Sequence, residues 1–100
     1  MKRKVLKSIN ILGHKWTIDY VDEEKLPPGA AGLCIFQDRK IFILKNGMNA
    51  MITRMTLLHE ARHAMQFESG LTNVLDNQAL EMDADGFASF VMSIKKQGFI

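Results

Sequence analysis

Apolar residues change their spacing once along this chain: in the first half they come in short alternating runs, and in the second half they recur every three or four positions. Ile9 and Ile11, then Trp16, Ile18 and Tyr20, form two β-branched and aromatic stretches split at Gly13-His14, which predicts a hairpin between Lys7 and Val21. The segment from Glu23 to Gly32 carries Pro27-Pro28-Gly29, residues that fix or free the backbone in ways a regular element cannot use, so it reads as a loop. Leu33 to Gln37 and Lys40 to Leu44 flank a polar Asp38-Arg39 and predict a second hairpin, whose turn has no strong signature. Asn46-Gly47 then breaks the strand. Asn49 is placed to cap a helix running to about Glu68 and closed by Gly70. A polar connector, Ser69 to Asn77, leads to a last helix capped by Asp76 or Asn77. Its pattern Leu80, Ala84, Phe87, Val91, Ile94 holds helical spacing to about Lys96. The expected class is α+β, four strands followed by two helices, in one domain over residues 1–100 with no internal repeat.

Composition narrows the class of protein more than it changes this outline. A hydrophobic fraction of 47% with 24% charged residues excludes disordered and fibrous chains. A net charge of +2 gives no electrostatic reason to expect nucleic acid. Lys2, Arg3, Lys4 and Lys7 near the start, and Lys95 and Lys96 near the end, read as solvated charge, the alternative being a binding patch. Lys7, Ser8 and Asn10 interrupt any signal-peptide core, and no run approaches the roughly 18 apolar residues of a membrane span. Cys34 is a lone cysteine and cannot form an internal disulfide. The expected location is cytoplasmic, with no membrane partner.

The chemistry concentrates in His59-Glu60-Ala61-Arg62-His63, an HExxH pattern on the first predicted helix. At 3.6 residues per turn the two histidines share a face one turn apart, so both imidazoles can reach one metal ion. Glu60 lies about 100° further round, beside such an ion and not on it, which suits a general base. HExxH arises by chance in on the order of a few chains per thousand of this length, so the motif alone supports only a metal-binding helix. A catalytic zinc site characteristically has three protein ligands, and Glu81 on the last helix is the best candidate for the third. Small Ala84 and Ala88 would let an antiparallel helix pair approach closely enough to bring Glu81 level with the histidines. Asp85, one turn beyond Glu81, is either an acceptor for the free N–H of a ligating histidine or an exposed helix charge.

The stretches Thr56-Leu57-Leu58-His59-Glu60-Ala61-Arg62-His63-Ala64 and Glu81-Met82-Asp83-Ala84-Asp85-Gly86-Phe87-Ala88 together resemble the ImmA/IrrE-like metallopeptidases, small gluzincin-type proteins of bacteria, phages and other mobile elements. The second stretch is similar to that family's Glu-x-x-Ala-Asn/Asp-x-Phe-Ala signature, which implies Glu81 as third zinc ligand and Asp85 as support for a ligating histidine. Gly32 and the strands down to Lys40-Ile41-Phe42-Ile43 resemble the upstream half of short phage-type members, so the likeness runs roughly from Ile9 to Met92. It implies a small zincin-like domain, a three- to four-stranded sheet on an active-site helix and a glutamate-ligand helix. Many members carry a DNA-binding domain or a C-terminal extension, for which this sequence has no room. Members are associated with cleavage of transcriptional repressors, a substrate class the resemblance permits.

The resulting expectation is a zinc-dependent endopeptidase with one Zn²⁺ on His59, His63 and Glu81, Glu60 as general base, and a peptide or regulatory protein as substrate. Its alternatives are a non-catalytic zinc-binding regulatory protein that retains the site and a latent enzyme covered by its own terminus. His14 and Tyr20 are the remaining candidates for oxyanion support, each with a structural reading beside it. Lys40 to Leu44 is a candidate edge for an extended substrate, or simply core. Cys34 reads as a small buried hydrophobe, and the methionines, including Met48, Met51, Met55 and Met65, as fillers of irregular core gaps.

Overall fold

The computed structural model describes residues 5–98, so the basic Lys2, Arg3 and Lys4 lie outside the described residues. Strands β1 (Ser8–Ile11) and β2 (His14–Val21) form the first hairpin, with Ile9 opposite Trp16. Its two-residue turn is Leu12-Gly13, one position earlier than the expected break. Both residues take positive φ, 50° and 87°, the combination with which a tight turn follows the twist of its strands. The Asn10 carboxamide oxygen accepts from the Gly13 N–H at 3.0 Å and holds the turn closed.

β3 (Gly32–Ile35) and β4 (Lys40–Leu44) form the second hairpin, and β4 also pairs in parallel with β2, setting Ile18 beside Ile41 and Tyr20 beside Ile43. The sheet order is β1-β2-β4-β3. The chain passes from β2 to the outer position, then returns to fill the gap. Lys40 to Leu44 is therefore an interior strand, and the candidate substrate edge moves to β3. Burial explains the exchange: Ile41 and Ile43 are fully buried, whereas β3 with Gly32 and Cys34 is half-buried along its length and has less to lose at the rim.

Helix α1 (Ala50–Glu68) lies between this sheet and helix α2 (Asn77–Lys96). The Asn49 side chain accepts from Ile52 N–H at the start of α1, Gly70 adopts left-handed φ just past its end, and Asp76 caps α2 through Ala79 N–H, settling the choice between Asp76 and Asn77. Trp16, Ile18, Ile41 and Ile43 meet Ala61 and Ala64 of α1 in the core. Each fully buried large side chain contributes about 1.5–3 kcal/mol, and the alanines let the helix sit close to the sheet.

α2 buries only the first part of the expected apolar stripe. Leu80, Ala84 and Ala88 are its buried residues, while Phe87, Val91 and Ile94 are half-buried. The helix packs on α1 and not on the sheet, so its contact line is the row of small residues that permits close approach. The methionines divide in the same way: Met48 and Met65 pack against the core as expected, but Met51 stays 54% exposed and Met55 lines a cleft.

Glu68 fixes the far end of α1. Its carboxylate, only 5% exposed, accepts from Trp16 Nε1 at 2.8 Å and from Arg39 Nε and Nη2 at 2.7 and 3.2 Å, joining the helix to β2 and to the β3–β4 turn. The Arg39 hydrogen bonds, with help from Trp16, hold this carboxyl below the usual glutamate range. No helix among the described residues is long and apolar enough to cross a membrane.

Candidate metal centre

His59 and His63 face α2 from one side of α1, and Glu81 faces them from the second turn of α2. The three donor atoms form a tight triangle. His59 Nε2 and His63 Nε2 are 3.1 Å apart, Glu81 Oε2 is 3.0 Å from His59 Nε2 and 3.2 Å from His63 Nε2, and the second carboxylate oxygen, Oε1, lies 3.0 Å from His63 Nε2. The structure thus brings together the three predicted ligands.

Hydrogen bonding on the far side of each ring decides what this triangle can hold. His59 Nδ1 lies 2.8 Å from Asp85 Oδ1, a carboxylate oxygen, so this nitrogen carries the proton. His63 Nδ1 lies 2.8 Å from Gln66 Oε1. The orientation of that carboxamide is fixed in turn, because Gln66 Nε2 donates to the Leu80 carbonyl at 2.9 Å and to Asp83 Oδ2 at 2.8 Å, and neither partner can donate back. Each ring therefore keeps its proton on Nδ1, so that in the neutral form its Nε2 lone pair is turned toward the other ring and toward a carboxylate. Three electron-pair donors about 3 Å apart repel unless a cation lies among them. Donors held about 2.0–2.1 Å from a tetrahedral zinc ion stand about 3.4 Å from one another, and two imidazoles with one carboxylate are a known catalytic zinc donor set. The residues present fit a zinc ion.

Asp85 meets both of its readings, its carboxylate lying 2.8 Å from His59 Nδ1 while its side chain is 74% exposed. Gln66, Asp83 and Arg62 are the residues that sequence reasoning missed. Gln66 is 1% exposed, an unusual burial for a glutamine, and it stands one turn after His63. Arg62 Nε donates to Asp83 Oδ2 at 2.9 Å and its guanidinium lies 5.0 Å above the Phe87 ring. Arg62 first, then Gln66, depresses the Asp83 carboxyl below its usual range and keeps it an acceptor. The chain Arg62–Asp83–Gln66 thereby locks the tautomer of His63. A glutamine one turn beyond the second histidine was the available signal, but the pattern Gln-after-His carries no meaning until its depth is known.

Glu60 is 7% exposed and sits where β3 crosses α1. A Cβ added at Gly32 would come within 2.9 Å of Glu60 Cγ and 2.9 Å of Thr56 Cγ2, so only glycine permits this approach. Burial raises the Glu60 carboxyl above the usual glutamate range, opposed by His59 and His63 and reinforced by Glu81. Two clefts meet at this point. One, about 540 Å³, is walled by Ala30, Ala31, Met55 and Ala88; the other, about 420 Å³, by Leu33, Cys34, Phe36 and Leu80. Gly32, Glu60 and Glu81 line both, and no lysine or arginine among the described residues lines either.

Other predicted positions fall elsewhere. His14 Nε2 lies 3.8 Å from Glu68 at the far end of α1, and the Tyr20 hydroxyl donates to the Leu6 carbonyl at 3.0 Å, so neither lines the clefts. Cys34 is half-buried, not fully so, and borders the second cleft, where burial first and Glu60 second push its thiol up and keep it protonated. In comparisons with known proteins, no family model, no curated protein and no solved structure matches the chain.

Proposed function

We propose that this protein is a zinc-dependent endopeptidase of a small zincin-like design, similar to the ImmA/IrrE type that its two motifs resemble. The observation that carries the proposal is the triangle of His59 Nε2, His63 Nε2 and Glu81 carboxylate, with both histidine N–H groups directed away from it, beside a buried glutamate at the junction of two open clefts. His59, His63 and Glu81 would hold the ion, Asp85 and Gln66 would fix the rings, and Glu60 stays free of the ligand set. Bound there, zinc supplies Lewis acidity toward a carbonyl oxygen and brings the pKa of water to near 7.

The chain's own groups supply the rest. Glu60, more basic than an exposed glutamate because it is buried, takes one proton from the attacking water and delivers it to the amide nitrogen as the C–N bond breaks. β3 is an edge strand of the sheet and borders both clefts, so an extended peptide can pair with its backbone and continue past the centre in both directions. A path open on both sides suits cleavage within a chain. No lysine or arginine among the described residues lines either cleft to capture a terminal carboxylate, as an enzyme acting at a C-terminus needs. A lone free cysteine suits a reducing compartment such as the cytoplasm.

Metal analysis and peptide cleavage test this reading together. Purified protein is expected to hold about one zinc per chain, Glu81→Ala to lose it, and Glu60→Gln to keep it while losing cleavage of a peptide library. Protein without stoichiometric zinc, or Glu60→Gln with undiminished cleavage, overturns the assignment. Zinc-loaded wild type that cleaves no peptide leaves the non-catalytic zinc-binding alternative standing.

A further inference from the structure

Beyond the cleft walled by Met55 and Ala88, the surface continues into a trough of about 510 Å³ between the start of α1 and the end of α2. Met55 and Ser89 line both spaces, so the two adjoin. Three methionines line it: Met51, Met55 and Met92. The rim is cationic: Arg54 from α1, Lys95 and Lys96 from α2, with no carboxylate among the lining residues. The spacing produces this arrangement. Met51, Arg54 and Met55 share one face of α1 at i, i+3, i+4, and Ser89, Met92, Ser93 and Lys96 share one face of α2 at i, i+3, i+4, i+7. Lys95 and Lys96, which read in sequence as solvated charge, border an apolar surface in the fold.

We infer that this trough is a substrate-docking site for a peptide segment bearing an apolar residue flanked by acidic residues, and that it selects substrates for the proposed peptidase centre. Methionine is unbranched and adaptable, which suits a pocket that accepts several apolar side chains. Three cations without an anion attract carboxylates, whereas the centre itself is rich in carboxylates. One extended chain crossing both surfaces meets opposite charge preferences. Met55 and Met51 precede His59 by one and two helical turns, about 6 and 12 Å at 1.5 Å per residue. An extended peptide advances about 3.4 Å per residue, so the docked residue falls about two to four positions to one side of the scissile bond. The inference rests on the peptidase reading for what docking achieves, but binding is measurable without cleavage.

The probe is a pair of fluorescein-labelled peptides of equal length, each with a leucine three residues from the centre, flanked by glutamates in one and lysines in the other. Binding to zinc-loaded Glu60→Gln is followed by fluorescence anisotropy, and cleavage is measured with wild type. The acidic peptide is expected to bind about tenfold more tightly, since exposed ion pairs each contribute modestly, with the preference shrinking as salt rises. The R54E/K95E/K96E variant, checked for folding by circular dichroism, should reverse the preference while cleaving a short peptide without the flanking residues at the wild-type rate. Equal affinities, or a preference for acid that persists in the charge-reversed variant, overturn the inference. Cleavage of both peptides alike refutes docking and leaves the peptidase reading intact. Selective binding without any cleavage supports docking and counts against the peptidase reading.

Discussion

Gln66 is the residue whose replacement tests the construction of the centre most directly. In Gln66→Leu the volume is nearly kept, but the acceptor for His63 Nδ1–H and the donor to Leu80 and Asp83 disappear from a position that is almost fully buried. Asp83 keeps its bond from Arg62 and the Leu80 carbonyl keeps its place in the α2 backbone ladder, so the group left without a partner is the His63 N–H. At about 1–3 kcal/mol for one orphaned buried group, the metal-free protein should lose about 1–3 kcal/mol, within the reserve of an ordinary domain. Loss of the ring's orienting partner should separately weaken zinc binding about 10- to 100-fold, as outer partners of metal-bound histidines typically do. Gln66→Glu separates these effects. It keeps an acceptor for His63 but sets a second carboxylate against Asp83 Oδ2, now 2.8 Å away, so it should lose stability while retaining more metal affinity than Gln66→Leu. Affinity is read by competition with a chromophoric chelator, stability by thermal unfolding in excess EDTA, and folding by circular dichroism. If folded Gln66→Leu binds zinc within about twofold of wild type, tautomer fixation through Gln66 is wrong.

Gly32→Ala must push apart β3 and α1 or rotate Glu60, because its Cβ would stand 2.9 Å from two side-chain carbons; it should cost about 1–3 kcal/mol and depress cleavage far more than zinc content, and unchanged turnover would refute the close approach. Glu68 has a folded pKa below its unfolded one, so its contribution is complete above the ordinary carboxylate range and is lost as pH falls through the depressed value. Glu68→Gln should therefore unfold at lower temperature than wild type near neutrality, the gap closing in acid; a gap independent of pH would exclude the charge as its source. Glu60 has the opposite sign: its pKa is raised on folding, so the penalty of burying its charge appears as pH rises from the unfolded value through the folded one. Metal-free Glu60→Gln should consequently melt above metal-free wild type at neutral pH and match it in acid, and a lower melting temperature at pH 7 would contradict the burial penalty.

Strands, helices and caps were legible because each depends on local chemistry. Trp16, Ile18 and Tyr20 alternate whatever lies beside them, and Asn49 and Gly70 mark helix ends through bonds to their own neighbours. Where the reading left alternatives open or held only in part, the deciding partner was remote. Nothing local in Lys40 to Leu44 tells an edge strand from a central one; that depends on β2 arriving in parallel from across the loop. Leu80 and Ala84 are buried as their stripe implied, but Phe87, Val91 and Ile94 stay half-buried because α2 meets a helix, and a helix approached closely selects its small residues.

The candidate centre divides along the same line. His59, Glu60 and His63 share one turn, so their spacing states their geometry, whereas Glu81 required a guess at how two helices align. Gln66 and Asp83 show why its support could not be foreseen. Each is a polar residue on an amphipathic helix, the most ordinary thing for a helix to carry, and becomes specific only when α2 brings the Leu80 carbonyl and the Asp83 carboxylate to the two donors of one buried carboxamide. The same helix alignment that carries Glu81 to the histidines thus sets the hydrogen bonds that turn a histidine lone pair toward it. A substitution that slides α2 by one residue, about 1.5 Å, would disturb the ligand and its orienting partner together, so metal affinity should respond to packing at Ala84 and Ala88 as well as to the donors themselves.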